Sequence, residues 1–111
     1  MKIAVTGGSG RVGKAIVEMA LAQGNSVVSI DRVDRVKPDG NIDDQSITYI
    51  QCDLTDYSAF ENALRGCDAL VHMAAIPAPG HHPDHEVHNN NVVSSYNAFR
   101  AAVEVLSLIH I

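Results

Sequence analysis

Four short apolar runs recur along the chain, and each is bounded by polar or turn-forming residues. Continuous runs of this length, rich in valine, isoleucine and leucine, are typical of strands covered on both faces. They predict strands at residues 3–5, 26–31, 46–52 and 69–73.

The longer stretches between these runs repeat their apolar positions every three or four residues, which indicates helices. The first helix is expected to extend through Gln23, and the second to span about 57–65 with Thr55 or Asp56 as its cap. A third is expected from about residue 84 to 105. The residues of this third helix that we expect to face inward are Val92, Tyr96, Phe99, Ala102 and Val103.

The predicted elements follow the order strand, helix, strand, loop, strand, helix, strand, helix. Such alternation predicts an α/β fold with a parallel sheet, right-handed crossovers and helices on both faces. We expect the strand order 3-2-1-4, with a ligand over the carboxyl ends of strands 1 and 4, where the winding reverses. The polar segments 32–45 and 74–83 are expected to be loops. A chain of 111 residues has room for one domain.

The turn between the first strand and the first helix carries a dense glycine pattern. Gly7, Gly10 and Gly13 fall three positions apart, and Gly8 completes G-x-G-x-x-G with the last two. Such a turn presents bare backbone N–H groups at a helix N-terminus, which suits a pyrophosphate. The residues that we expect to bind the cofactor here are Gly7, Gly10, Arg11, Val12 and Gly13.

Asp31 strengthens this interpretation, because it ends the second predicted strand eighteen positions after Gly13, where a ribose hydroxyl would be bound. A rival interpretation uses the same glycines, since Gly8 to Lys14 fits G-x-x-x-x-G-K of nucleotide triphosphatases. That motif continues with a Ser or Thr that holds magnesium, and position 15 is alanine. The dinucleotide site is therefore favoured.

Composition narrows the class of partner. The formal charge of 8 − 13 = −5 gives no electrostatic support for a nucleic-acid partner. The two cysteines, Cys52 and Cys67, are expected to be reduced and partly buried. We see no signal-peptide core and no run long enough for a membrane span. We therefore expect a cytoplasmic protein that does not associate with a membrane.

Five motifs in order resemble the amino-terminal part of the extended short-chain dehydrogenase/reductase family, the NAD-dependent epimerases and dehydratases. They are Thr6 to Gly13 as T-G-x-x-G-x-x-G, Asp31, the pair Asp53-Leu54, Leu70 to Ala75, and Asn91 to Asn97. In the last motif, two serines stand where the family pattern has Gly-Thr. The resemblance implies a Rossmann-type sheet that is truncated before its fifth strand.

The resemblance also implies roles for residues outside the glycine turn. Asp53 would accept from the adenine amino group, with the Leu54 amide beside it, although Asp53 could instead be a plain helix cap. Asn91 would lie near the nicotinamide, although a buried structural amide is the alternative. The segment beneath the adenosine and phosphates comprises Met73, Ala74, Ala75 and Ile76.

The choice between NAD and NADP depends on two neighbours. Asp31 can accept hydrogen bonds from both ribose hydroxyls, and its charge would repel a 2′-phosphate, so NAD is favoured. Arg32 leaves NADP open, because its guanidinium could stack on adenine or bind that phosphate.

The family's catalytic pair, Tyr-x-x-x-Lys, is missing from this sequence, because Tyr49, Tyr57 and Tyr96 are not followed by lysine at the fourth position. We therefore predict an incomplete dinucleotide-binding domain over residues 1–105, inactive alone, and a non-native or scar tail over 106–111.

The longer parent would transfer hydride on a hydroxyl-bearing, sugar-like small molecule. The alternative is a non-catalytic dinucleotide sensor. An uncovered fourth strand would favour a homodimer.

A cluster of histidines raises the possibility of a metal site. His81, His82, His85 and His88 are spaced closely enough for zinc or nickel, but Pro83 interrupts them, and a solvated entry to the third helix explains them. We predict no metal site. His72 is expected to be a packed or hydrogen-bonded core residue.

Overall fold

The computed structural model describes residues 1–8, 10–32, 46–74 and 83–105. Within them lies a four-stranded sheet of β1 (Lys2–Thr6), β2 (Ser26–Asp31), β3 (Ile47–Gln51) and β4 (Ala69–His72). Every neighbouring pair is parallel, and the order is β3-β2-β1-β4. The α/β class and the predicted order 3-2-1-4 are thereby confirmed.

Three helices connect or follow the strands, namely α1 (Arg11–Ala22), α2 (Tyr57–Leu64) and α3 (Asp84–Val105). The predicted bounds differ from these by at most a residue or two at the ends. Asp56 is the cap of α2, because its side chain accepts from the amide of Ala59. Asp53 is therefore not the helix cap.

The helices cover both faces of the sheet and form two apolar layers. On one face, Val17 and Ala20 of α1 pack against Val5 and Val27 of the central strands. On the other face, α2 and α3 pack against Ala4, Val28, Ile30 and Leu70, with Phe60 and Leu64 of α2 fully buried between them. Adjacent residues of each strand thus serve opposite layers, as strands buried on both faces require.

The inward face of α3 differs from the prediction. Four of the five residues that were expected to face inward are instead exposed, so the prediction was wrong for them. They are Val92 (52% exposed), Tyr96 (65%), Phe99 (53%) and Val103 (64%). Ala102 is buried as expected, together with Ser94, Asn97, Ala98 and Ala101. Small side chains allow the α3 backbone to lie close to α2 and the sheet, and this close approach places the bulky residues outside.

Cys52 and Cys67 are buried and free, in agreement with the prediction of reduced thiols. Burial is the main cause that raises the pKa of both thiols above the ordinary value, so the neutral form is favoured. Within the described ranges, no helix combines the length and apolarity needed to cross a bilayer. The tail 106–111 and most of the two predicted loops lie outside the described residues.

Candidate functional site

The end of β1 and the end of β4 meet at a turn that only glycine can occupy. Gly7 has a φ of +69°, in the left-handed region that side chains disfavour. A Cβ on Gly7 would also lie 2.9 Å from both the Cα and the amide nitrogen of Ala74. The absence of a side chain therefore lets the two chain segments come together at the carboxyl edge of the sheet.

The turn continues directly into α1. The Gly10 amide donates to the Gly7 carbonyl at 3.0 Å, and the Lys14 amide donates to the Gly10 carbonyl at 2.8 Å. Gly10 is the N-cap and supplies no side-chain hydrogen bond, and the first turn carries no acidic residue. The partial positive charge of this helix end, at the amides of Arg11, Val12 and Gly13, therefore faces no capping carboxylate from α1 itself.

Gly13 makes the close packing of this turn possible. It is buried in α1, and a Cβ at this position would clash with the carbonyl oxygen of Gly7. The structure therefore gives different reasons for two of the glycines, since Gly7 permits the backbone conformation and Gly13 permits helix-on-turn contact.

Thr6 joins the turn to the end of β4. Its hydroxyl oxygen accepts from the amides of Met73 at 2.9 Å and Ala74 at 3.1 Å, and it lies 2.7 Å from Nδ1 of His72. Thr6 is fully buried, and these bonds hold Ala74 against Gly7. His72 is half-buried, hydrogen-bonded and 6.3 Å from the Phe60 ring, which confirms its predicted core role. From the sequence, Thr6 was recognised only as the first residue of the glycine motif, and no local pattern indicates its contacts with the end of β4.

Asp31 and Arg32 lie at the same edge, at the end of β2. The Gly7 amide donates to the Ile30 carbonyl at 2.8 Å, which places the glycine turn next to this strand end. The backbone around the acidic residue is itself fixed, because the Cys52 amide donates to the Asp31 carbonyl at 2.8 Å. Asp31 is half-buried, whereas Arg32 is exposed.

Asp53 and Leu54 follow β3 at this edge. The Asp53 carboxylate accepts from the amide and the hydroxyl of Thr55, and these two bonds lower its pKa. Leu54 is buried, and its carbonyl accepts from the side-chain amide of Asn97 at 2.8 Å. The sequence suggested Thr55 only as a possible cap of α2, which the structure assigns to Asp56, and Asn97 only as the last residue of the motif that begins at Asn91. Neither of these two contacts was predicted.

The remaining predicted residues are less closely tied to this edge. Asn91 is half-buried on α3, where its side-chain oxygen accepts from Asn90 at 3.1 Å and its carbonyl accepts from Ser94 at 3.4 Å. Met73 is 38% exposed and Ala74 is half-buried. Ala75 and Ile76 lie outside the described residues.

The histidine cluster is described only in part. His85 and His88 are exposed on the first turns of α3, and His81 and His82 lie outside the described residues. No group of three or more potential metal ligands occurs among the residues that the structure describes.

The carboxyl edge thus presents three features in a row along the sheet. A helix N-terminus attractive to anions lies above β1, and two carboxylates follow β2 and β3. The Arg32 guanidinium is close enough to Asp53 to contribute to the lowering of its pKa. An elongated ligand with a diphosphate at one end and hydrogen-bond donors towards the other matches this order.

Comparison with known proteins agrees with this geometry. The family described as "NAD dependent epimerase/dehydratase family" matches residues 3–110. L-arabinose 1-dehydrogenase (NAD(P)(+)) from Haloferax volcanii is 34% identical over 102 residues, covering 92% of this chain and 36% of that protein. The 3 beta-hydroxysteroid dehydrogenase/Delta 5-->4-isomerase of Vaccinia virus is 32% identical over 105 residues, covering 92% of this chain and 30% of that protein.

Solved structures show the same fold. The Bordetella bronchiseptica enzyme WbmG in complex with NAD superposes with a TM-score of 0.77 at 30% identity, covering 94% of this chain and 34% of WbmG. Uronate dehydrogenase from Agrobacterium tumefaciens gives a TM-score of 0.76 at 24% identity, covering 96% of this chain and 39% of that protein. The chain therefore spans roughly a third of the length of the relatives it matches.

Proposed function

This chain belongs to the NAD-dependent epimerase/dehydratase family, and we propose that it is the dinucleotide-binding part of an oxidoreductase or epimerase of the extended short-chain dehydrogenase type. The observation that carries the proposal is the close-packed glycine turn, in which a Cβ on Gly7 would collide with the Ala74 backbone and a Cβ on Gly13 with the Gly7 carbonyl. This bare backbone beside a helix N-terminus fits a diphosphate.

The phosphate-binding part of the site comprises Gly7, Gly10 and the first turn of α1. Its amides, from Arg11 to Gly13, would donate to phosphate oxygens, and the helix dipole would favour their negative charge. Thr6 supports this arrangement from beneath, because its hydroxyl holds the Met73–Ala74 backbone against the turn. We also propose Ala75 and Ile76, which lie outside the described residues, as cofactor-binding residues on the strength of the family resemblance.

The adenosine part would lie across the ends of β2 and β3. Asp31 would accept from the two ribose hydroxyls and repel a 2′-phosphate, so we propose NAD as the cofactor. Asp53 and the Leu54 amide would bind the adenine edge. Arg32 would stack on the adenine, and it remains the residue through which NADP could be accommodated. Asn91 would lie towards the nicotinamide.

The bound nicotinamide supplies hydride transfer, and this chain's residues supply binding and orientation. The relatives include dehydrogenases of arabinose, uronate and a hydroxysteroid. We therefore propose a hydroxyl-bearing, sugar-like small molecule as the substrate of the whole protein. We propose no catalytic residue within this chain, because its tyrosines lack the lysine four positions on. The chain alone is expected to bind NAD without turning over a substrate.

Calorimetric titration of the chain with NAD and NADP tests the proposal. We expect NAD to bind more tightly than NADP, and Asp31→Ala to weaken NAD binding by about 1–3 kcal/mol through loss of charge-assisted hydrogen bonds. Glu18→Ala is the matched control, since it removes an exposed carboxylate from the middle of α1. A folded chain that binds neither dinucleotide would contradict the proposed function.

A further inference from the structure

Thr55 donates two hydrogen bonds to the same oxygen of the Asp53 carboxylate. The Thr55 amide donates to Asp53 Oδ1 at 3.0 Å, and the Thr55 hydroxyl donates to the same oxygen at 2.7 Å. Both residues are exposed at the edge of the sheet, immediately after β3. An exposed aspartate ordinarily rotates among several rotamers, and these two bonds select one of them.

The backbone beneath this carboxylate is fixed independently. Leu54 is 7% exposed, and its carbonyl accepts from Asn97 Nδ2 at 2.8 Å. Asn97 is itself 5% exposed and belongs to α3, a separate element of the fold. The pair Asp53-Leu54 is therefore held from two sides, with Asn97 on its backbone and Thr55 on its carboxylate.

We propose that Thr55 is a positioning residue for purine recognition, which orients Asp53 so that Oδ2 accepts the exocyclic amino group of adenine. This inference rests on the proposed function and deepens it. Thr55 makes no contact with the ligand and acts through Asp53. The Leu54 amide, beside the carboxylate, donates to the adjacent ring nitrogen, so that the pair forms an acceptor next to a donor.

This pattern selects a 6-amino purine over a 6-oxo purine. Adenine presents an amino donor beside a ring nitrogen that accepts. Hypoxanthine presents a carbonyl acceptor beside a protonated ring nitrogen, which is the reverse order. A carboxylate fixed opposite the carbonyl and an amide fixed opposite the ring N–H would leave both contacts mismatched. A freely rotating Asp53 could turn towards the ring N–H and accept from it, so discrimination depends on Thr55.

The charge on Asp53 agrees with this role. The hydroxyl of Thr55 is the largest cause that lowers the pKa of Asp53, followed by the Thr55 amide, and Arg32 adds a smaller contribution against the opposing effect of burial. Asp53 therefore stays an acceptor to a lower pH than an ordinary aspartate. The other nearby carboxylate on this segment is Asp56, whose Oδ1 is engaged with the amide of Ala59.

The test compares NAD with its hypoxanthine analogue in calorimetric titrations of three proteins, namely the unsubstituted chain (called the parent in the variant comparisons), Thr55→Val and Thr55→Ser. We expect the parent to prefer NAD by about tenfold or more, the scale of one hydrogen bond to a charged group. Thr55→Val removes the hydroxyl bond and should lower that preference by about threefold or more. Thr55→Ser keeps the hydroxyl and should keep the preference, which separates a positioning role from a loss of packing.

A second measurement follows Asp53 without ligand. NMR titration of its carboxyl carbon should show a higher pKa in Thr55→Val than in the parent, and the parent value in Thr55→Ser. An unchanged preference for NAD in a folded Thr55→Val chain, or an unchanged Asp53 titration, would overturn the inference while leaving the proposed function intact. If the folded, unsubstituted chain does not bind NAD at all, both the role of Thr55 and the proposed function are contradicted.

Discussion

The Thr6 hydroxyl donates its proton to Nδ1 of His72, 2.7 Å away across the β1–β4 pair. The direction follows from the other bonds of this hydroxyl, because its oxygen already accepts from the amides of Met73 and Ala74. A hydroxyl has two acceptor positions and one proton, so the proton remains for the imidazole. His72 is therefore neutral, with its own proton on Nε2, which is buried and has no partner among the described residues.

Thr6→Val tests the importance of this hydroxyl. The substitution keeps the side-chain shape of the fully buried Thr6 but removes the acceptor of the Ala74 amide and the hydrogen-bond partner of the His72 Nδ1. The Met73 amide loses the hydroxyl but keeps the backbone carbonyl of residue 6, 3.2 Å away. We expect the free energy of unfolding, measured in urea, to fall by about 1–3 kcal/mol. Thr6→Ser retains the hydroxyl and should lose clearly less stability. Equal losses in the two variants would indicate that packing, and not hydrogen bonding, is the function of Thr6.

Acidification should destabilise the chain through His72. Burial lowers the pKa of His72 below its ordinary value, so the unfolded chain binds a proton more readily than the folded one. The contribution to stability is complete above the unfolded pKa of about 6.5 and is lost as the pH falls from there through the lowered folded value. Protonation of Nδ1 would also remove the acceptor that the Thr6 hydroxyl requires.

Unfolding free energies measured at several pH values between 7.5 and 5 check this expectation. His72→Gln should reduce the loss of stability on acidification, whereas His88→Gln, at an exposed position of α3, should leave it close to that of the parent. A parent-like pH profile in His72→Gln would show that other groups dominate the titration.

Gly13→Ala should destabilise the turn even though alanine is the better helix former. Alanine at an open helix position would gain about 1 kcal/mol over glycine. Here its Cβ would meet the carbonyl oxygen of Gly7, which is backbone and cannot rotate away. We expect a net loss of about 1–3 kcal/mol in urea unfolding, together with weaker NAD binding.

Gly10→Ala is the matched comparison for Gly13. A Cβ there would lie 3.3 Å from the same carbonyl oxygen, a tight contact that a small shift relieves. Its loss of stability should therefore be smaller than that of Gly13→Ala. A larger loss of stability in Gly10→Ala than in Gly13→Ala would contradict the conclusion that Gly13 makes the closest contact between α1 and the turn.

The glycine turn and the strand order were predictable because they follow from local rules. Each of these features produces a pattern within a short stretch of sequence. A strand buried on both faces is a continuous apolar run, a position with positive φ is a glycine, and the α/β fold is an alternation of strand and helix patterns. The links between Thr6 and His72, and between Asn97 and Leu54, join residues far apart in the chain. They depend on how elements pack, so a single sequence does not reveal them, although it placed both segments at the same edge.

The inward face of α3 is formed by small residues, and not by the large apolar residues that the helical pattern predicted. Large apolar residues were expected inside, yet α3 packs through alanines, whose small side chains let its backbone lie close to α2 and the sheet. Asn97 is also buried, and its amide satisfies the Leu54 carbonyl, an exchange that hydrophobicity alone does not predict. The exposed Tyr96 and Phe99 are the consequence of this packing.

The orientation of α3 can be tested with two substitutions on opposite faces. Ala101 is fully buried, so Ala101→Leu should overpack the layer and lower the free energy of unfolding by about 1–3 kcal/mol. Tyr96 is 65% exposed, so Tyr96→Ala should change stability by no more than about 0.5 kcal/mol despite removing a whole aromatic ring. A helix turned as the apolar pattern suggested would reverse these results, because the tyrosine would then fill the core and a leucine at position 101 would lie in solvent. Urea unfolding of both variants, monitored by circular dichroism, therefore distinguishes packing through small residues from packing through large ones.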